Sequence, residues 1–132
     1  MRDGDDGPLT FDGKPVDCAT CPEQARAAAG RCRVGEACVA DRLSRRIGRF
    51  FADNPEAAGA YLDHGYFAVR AAAAQVITPF RLLAAVNDPE PEVRAIAALR
   101  LPLARVEQLS RDTDPRVRAA LTDRPEGEAL AA

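Results

Sequence analysis

Asp88-Pro89-Glu90-Pro91-Glu92-Val93-Arg94-Ala95 is answered 24 residues later by Asp112-Thr113-Asp114-Pro115-Arg116-Val117-Arg118-Ala119. One period earlier the tripeptide stands at Val69-Arg70-Ala71. Ile77 aligns with Leu101, Leu82 with Val106 and Ala85 with Leu109, so the apolar positions keep the same register. His64 and Thr78 stand where the later units have Asp88 and Pro102. A fixed period of this size marks small units stacked on one another. Proline just before Val-Arg-Ala suits the first position of a helix. Thr78-Pro79 and Leu101-Pro102 open a second piece in each unit. Allowing for two turns, each piece has roughly 8–10 residues, about 12–15 Å of helix. One of the two suits a 3₁₀ segment, whose larger rise covers the layer with fewer residues. Neither could stand alone in water. Stability must come from burying Val93, Ile96, Leu99, Leu103, Val106 and Leu109 between layers. The expected fold class is therefore all-α, built from 24-residue repeats.

Upstream, Asn54-Pro55 lies one period before Thr78-Pro79, which predicts a degenerate first unit with Asn54 as cap. Asp63-His64-Gly65 reads as its turn. Before it, Val39, Leu43, Ile47 and Phe50 share one helical face, which predicts a helix from Glu36 to about Ala52. Cys38 would then sit in its first turn, where the positive dipole end favours a thiolate. Arg42, Arg45, Arg46 and Arg49 fall elsewhere on its surface.

All four cysteines of the chain, Cys18, Cys21, Cys32 and Cys38, lie in the segment between residues 18 and 38. Such crowding means a metal or cluster site, a pair of disulfides, or a redox dithiol with two bystanders. Pro22 and Gly30 bound a short helical connection between Cys21 and Cys32. Cys-x2-Cys supplies adjacent ligands in iron–sulfur sites, with distant cysteines completing the set. Structural zinc also takes four thiolates, usually as two close pairs, and Cys-x5-Cys fits that pattern less well. A thioredoxin-like Cys18-Ala-Thr-Cys21 lacks the preceding strand it would need. On the residues alone, iron–sulfur and zinc both stand.

The chain has 132 residues, a net charge of −2, 5% aromatics and no tryptophan. That charge excludes overall basicity as a pointer to nucleic acid. The acidic start has no apolar core of a signal peptide, and no apolar run is long enough to span a membrane. The expectation is a cytoplasmic protein, where thiols stay reduced, which weighs against disulfides. Residues 1–17, with Asp3, Asp5, Asp6, Asp12 and Asp17, read as a flexible arm whose Leu9, Phe11 and Val16 shield the cysteines. No nucleophile–base pair, carboxylate dyad or phosphate loop is visible, so no enzymatic activity is expected. His64 reads as a turn residue. Arg70, Arg94 and Arg118 form a ladder whose neighbours Asp88, Glu92, Asp112 and Asp114 predict ion pairs. Arg26, Arg31, Arg33 and Arg42 are the cations nearest the cysteines in sequence.

The pattern Cys-x2-Cys-x10-Cys-x5-Cys-Val, joined to units of the form Asp-x-(Asp/Glu)-Pro-x-Val-Arg…Leu-Pro, resembles the leucine-rich repeat variant proteins over about residues 18–123. The resemblance implies an N-terminal [4Fe-4S] site with Cys18, Cys21, Cys32 and Cys38 each ligating one iron. It also implies repeats alternating α and 3₁₀ helices in a right-handed superhelix, and an association with nitrogen fixation. The implied organisation is an arm at 1–17, a cluster segment at 18–52 capping the stack, and repeats at 53–132. The expected role is electron transfer, redox sensing or cluster delivery by a monomer whose repeats dock a protein partner, a redox or nitrogen-fixation component. The alternative is a zinc-binding or purely structural cap on an interaction scaffold, with no redox role.

Overall fold

The computed structural model describes residues 7–124. Asp3, Asp5 and Asp6 of the expected arm, and the chain beyond Arg124, lie outside them. The described residues are helical, with two isolated β-bridges, Leu9 to Pro15 and Arg33 to Ala37. Helices α1 (Gln24–Ala28), α2 (Ser44–Asp53) and α3 (Phe67–Val76) precede α4 (Pro79–Leu82), α5 (Pro91–Arg100), α6 (Leu103–Val106) and α7 (Pro115–Thr122). Four 3₁₀ segments, Cys18–Thr20, Pro55–Tyr61, Leu83–Asn87 and Glu107–Arg111, alternate with them. The chain divides into two compact units, Met1–Val76 and Ile77–Ala132. The first helical layer thus belongs with the cysteine segment, where the register alone puts a boundary after residue 52.

In the second unit the repeat is literal. Asp88 Oδ1 accepts from the Glu90 N–H at 2.8 Å, and Asp112 Oδ1 from the Asp114 N–H at 2.9 Å. Each aspartate so folds its own turn. Arg94 Nη1 then donates to the Asp88 and Pro89 carbonyls at 2.9 and 3.1 Å, and Arg118 Nη1 donates to the Asp112 carbonyl. The proline that follows opens α5 and α7, where a missing N–H costs nothing. Val93 and Val117 are buried beneath the turns they follow. Helix α5 packs on α7 and on the 3₁₀ segment Leu83–Asn87, and α7 packs on Glu107–Arg111. The second piece of each unit is a single α turn that tightens into 3₁₀. Val106 and Leu109 are buried as expected, Leu103 only half so. Leu99 is 40% exposed; Leu101 at 1% takes the core position instead, because α5 ends at Arg100 and the extended backbone turns the next side chain inward.

The arginine ladder is structural. Arg94 makes a two-pronged bond to Asp112, Nε to Oδ2 at 2.7 Å and Nη2 to Oδ1 at 2.9 Å. One guanidinium therefore closes its own turn and holds the turn of the next unit. In the first unit His64 takes the aspartate's place. Its Nδ1 accepts from the Tyr66 N–H at 3.0 Å, and Arg70 Nη1 donates to the His64 carbonyl at 2.8 Å. Burial lowers the His64 pKa, which keeps the imidazole neutral and able to accept.

The first unit is held by rings and alanines. Phe50, Phe51 and Tyr61 meet edge to face, with centroids 5.1–6.3 Å apart. Helix α3 buries Ala68, Val69, Ala71, Ala73 and Ala74, and packs on α2 and on Pro55–Tyr61. Small side chains let these short elements approach closely. Two expectations fail here. Helix α2 begins at Ser44, not Glu36: Gly35 has φ +84°, and residues 39–40 form a turn, so the segment before α2 is not helical although Val39 is buried. Leu43, at the cap of α2, is 41% exposed, and Phe51 fills the core in its place. Within residues 7–17, where the arm is expected, Leu9 bridges to Pro15 and Phe11 stacks on Tyr66.

The ladder yields a prediction. The Arg94 guanidinium holds the Asp112 carboxyl below its usual pKa. A depressed folded-state pKa contributes stability that is present above the unfolded value, near pH 4, and lost as pH falls through the folded value. Asp112→Asn should therefore cost about 2–3 kcal/mol at pH 7. In urea titrations the gap to the unmodified protein should narrow below about pH 4. An equal gap at pH 7 and pH 3 would contradict the ion pair.

Candidate metal centre

Local backbone geometry explains each cysteine spacing. Asp17 caps a 3₁₀ turn by accepting from the Ala19 N–H at 2.9 Å, and Cys21 N–H closes it on the Cys18 carbonyl at 3.3 Å. Residues three apart eclipse in a 3₁₀ turn, so Cys18 and Cys21 lie on one side. Cys32 and Cys38 pair differently. Arg33 and Ala37 exchange both backbone hydrogen bonds, at 2.7 and 2.9 Å, around a turn in which Gly35 takes its positive φ. Cys32 and Cys38 flank that bridged pair and so fall opposite one another in register. Cys-x5-Cys is the signature of this tight hairpin. Between the pairs, α1 ends in a Schellman motif: Gly30 (φ +75°) donates to the Ala27 carbonyl at 3.0 Å, and Arg31 to the Arg26 carbonyl at 2.8 Å.

The four thiols line one small recess, together with Val16, Glu23, Ala27, Val34 and Val39. All four are free thiols; Cys18 is exposed and Cys38 buried. Backbone amides point at the sulfurs. The Glu23 N–H donates to Cys21 Sγ at 3.4 Å, and those of Ala40 and Asp41 donate to Cys38 Sγ. Burial pushes the Cys32 thiol up, and the neighbouring Cys38, Cys21 and Cys18 add to it. Burial also raises Cys38, against the pull of its two amides. Thiols crowded in this way ionise together only against positive charge, so metal binding would release protons. Apolar walls, four thiols and amides aimed at sulfur suit a cluster of iron and sulfide. Cys38 is not at a helix N-terminus; its amides come from the turn before α2, and its own N–H donates to the Arg46 carbonyl at 3.1 Å.

Of the four expected cations, Arg33 alone lines the recess. Arg26 and Arg31 bond Glu56, and Arg33 bonds Glu36. Arg42 enters through its backbone, donating to the Leu9 carbonyl at 2.9 Å. Val16 reaches the recess as expected, whereas Phe11 packs on His64 and Tyr66. The sequence reading missed Glu23, Asn54 and Tyr61. Glu23 lines the recess, and its carboxylate accepts from Arg26 Nε at 2.7 Å and from the Tyr61 hydroxyl. Burial and that bond push the Tyr61 pKa well up. Asn54 does not cap Pro55–Tyr61. Its side chain is fully buried and turned back: Nδ2 donates to the Arg31 and Phe50 carbonyls at 2.8 and 2.9 Å, and Oδ1 accepts from Arg26 at 3.1 Å. Only the Glu23-x2-Arg26 spacing hinted at part of this.

Fold and site together define a helical-repeat protein with a four-thiol recess at its first layer. Comparison with known proteins agrees. A family described as the LRV protein FeS4 cluster matches residues 8–60, and one described as the leucine rich repeat variant matches residues 91–114. A 27.7 kDa protein from the nifB 3′ region of Rhodobacter capsulatus is 43% identical over 100 residues, covering 76% of this chain and 41% of its own. A solved leucine-rich repeat variant, described as having a novel repetitive structural motif, superposes with a TM-score of 0.78 at 34% identity. That match covers 89% of this chain and 52% of the solved one. The chain thus spans about half or less of the length of these relatives. Over these segments it is similar to the leucine-rich repeat variant proteins that carry an FeS4 cluster domain.

Cys32→Ala removes a half-buried member of the quartet and one side of the hairpin. Iron content should fall to background and α2 should loosen, read by metal analysis and circular dichroism. Unchanged iron would take Cys32 out of the ligand set.

Proposed function

We propose that the protein binds a [4Fe-4S] cluster through Cys18, Cys21, Cys32 and Cys38 and passes single electrons to or from a protein partner docked on its repeats. The observation that carries this reading is the convergence of all four thiols on one recess inside the segment matched by the cluster family. The match of residues 8–60 to the cluster family favours a multi-iron group over zinc.

When bound, the cluster supplies a reversible one-electron couple. The chain's part is to set its surroundings. The amides of Glu23, Ala40 and Asp41 stabilise charge on sulfur, Val16, Val34 and Val39 keep water back, and exposed Cys18 brings one ligand to the surface. The reading takes the protein to be a cytoplasmic monomer with no catalytic activity of its own, acting on a protein rather than nucleic acid or membrane. No helix among the described residues is long and apolar enough to cross a membrane. A nitrogen-fixation setting is supported by the Rhodobacter capsulatus relative, named for its place beside nifB.

Anaerobic purification followed by absorbance, EPR and metal analysis tests the reading. The expected protein is brown, carries iron and acid-labile sulfide in equal amounts, and gains an EPR signal on reduction or oxidation. A colourless protein with one zinc and no sulfide would overturn it.

A further inference from the structure

Glu23 acts on the recess in two opposite ways. It lines the recess two residues after Cys21, and its backbone N–H donates to Cys21 Sγ at 3.4 Å. An amide on a ligand sulfur spreads that sulfur's negative charge and so favours the reduced state of a cluster. The carboxylate of the same residue does the reverse. A cluster held by four thiolates is already negative, and a further negative charge beside it resists an added electron.

The carboxylate is pinned on both oxygens. Glu23 stands at the N-cap of α1, yet its side chain makes no capping bond. Oε1 accepts from Arg26 Nε at 2.7 Å, and Oε2 accepts from the Tyr61 hydroxyl. The side chain is only 16% exposed, so water offsets little of its charge. Arg26 also holds Glu56 at 2.6 Å and Asn54 Oδ1 at 3.1 Å, so its positive charge is divided between two carboxylates. The hydroxyl is not shared in this way. Its ring packs edge to face on Phe50 and Phe51, which fixes it in the first repeat layer, 38 residues from Glu23.

We propose that Glu23 sets the reduction potential of the cluster and that Tyr61 is a positioning residue acting through it. The hydroxyl holds and partly offsets the carboxylate, while the amide of the same residue supports the Cys21 sulfur. The inference rests on the cluster reading above. It adds that the potential is tuned from the repeat layer as well as from the cysteine segment.

The test is a spectroscopic redox titration of cluster-loaded protein, carried out anaerobically on the unmodified protein, Glu23→Gln, Tyr61→Phe and the double variant. Glu23→Gln keeps the backbone N–H and removes the charge, so the potential should rise. Tyr61→Phe keeps the ring among Phe50 and Phe51 and removes only the hydroxyl, so the potential should fall. Loosening that merely let water in would favour the more charged, reduced state and raise the potential, the opposite sign. With Glu23→Gln already in place, Tyr61→Phe should shift the potential far less, because the charge it offsets is gone. A potential unmoved by Glu23→Gln, or an equal fall from Tyr61→Phe with and without Glu23→Gln, overturns the proposal. Should Glu23→Gln fail to hold a cluster, Tyr61→Phe decides alone, and an unchanged or raised potential overturns it. An unmodified protein without iron and sulfide would overturn the cluster reading itself and this inference with it, which keeps the two failures apart.

Discussion

Asn54 is the joint on which the first unit depends. Three hydrogen bonds leave one buried amide, toward Arg26, the Arg31 carbonyl and the Phe50 carbonyl. They tie the end of α2 to the link between the two thiol pairs. Loss of such a residue leaves the Phe50 and Arg31 carbonyls short of a donor, a penalty of about 1–3 kcal/mol where the group is buried. The recess and the first helical layer are thus one folding problem. The division of the chain after Val76 reflects this.

The second unit solves the same problem with different chemistry. Its helices are of ten residues or fewer, too short to persist alone. An aspartate folds each turn, an arginine clamps it, and Arg94 carries the clamp on to Asp112. In the first unit His64 accepts the turn amide as the aspartates do, but a neutral ring cannot offer a carboxylate to a guanidinium. That unit has aromatic packing around Tyr61 instead, and its polar contacts run to the cysteine segment.

The repeat was legible because its signals are local. Proline, aspartate and the Val-Arg-Ala tripeptide fix turn and helix start within a few residues. The four cysteines were legible as a set for the same reason. The start of α2 was not: Val39, Leu43, Ile47 and Phe50 have helical spacing, but Val39 is buried from a turn and Leu43 lies outside the core. Periodicity cannot tell a helix from a loop that delivers a side chain to the same place. Leu99 was misplaced because apolar spacing ran on past the point where α5 gives way to extended backbone. Asn54 looked like a cap because Asn-Pro commonly is one; two of its three partners lie 23 and 28 residues away. Glu23 and Tyr61 are 38 residues apart, and no local pattern announces their bond.

The central claim is that the cluster recess and the first repeat layer are one cooperative unit. Hydrogen exchange measured before and after removal of the cluster tests it most directly. Stripping should expose the amides of α2, Pro55–Tyr61 and α3 while those of α5 and α7 keep their protection. Equal loss of protection in α3, α5 and α7, or none in any of them, would contradict the account.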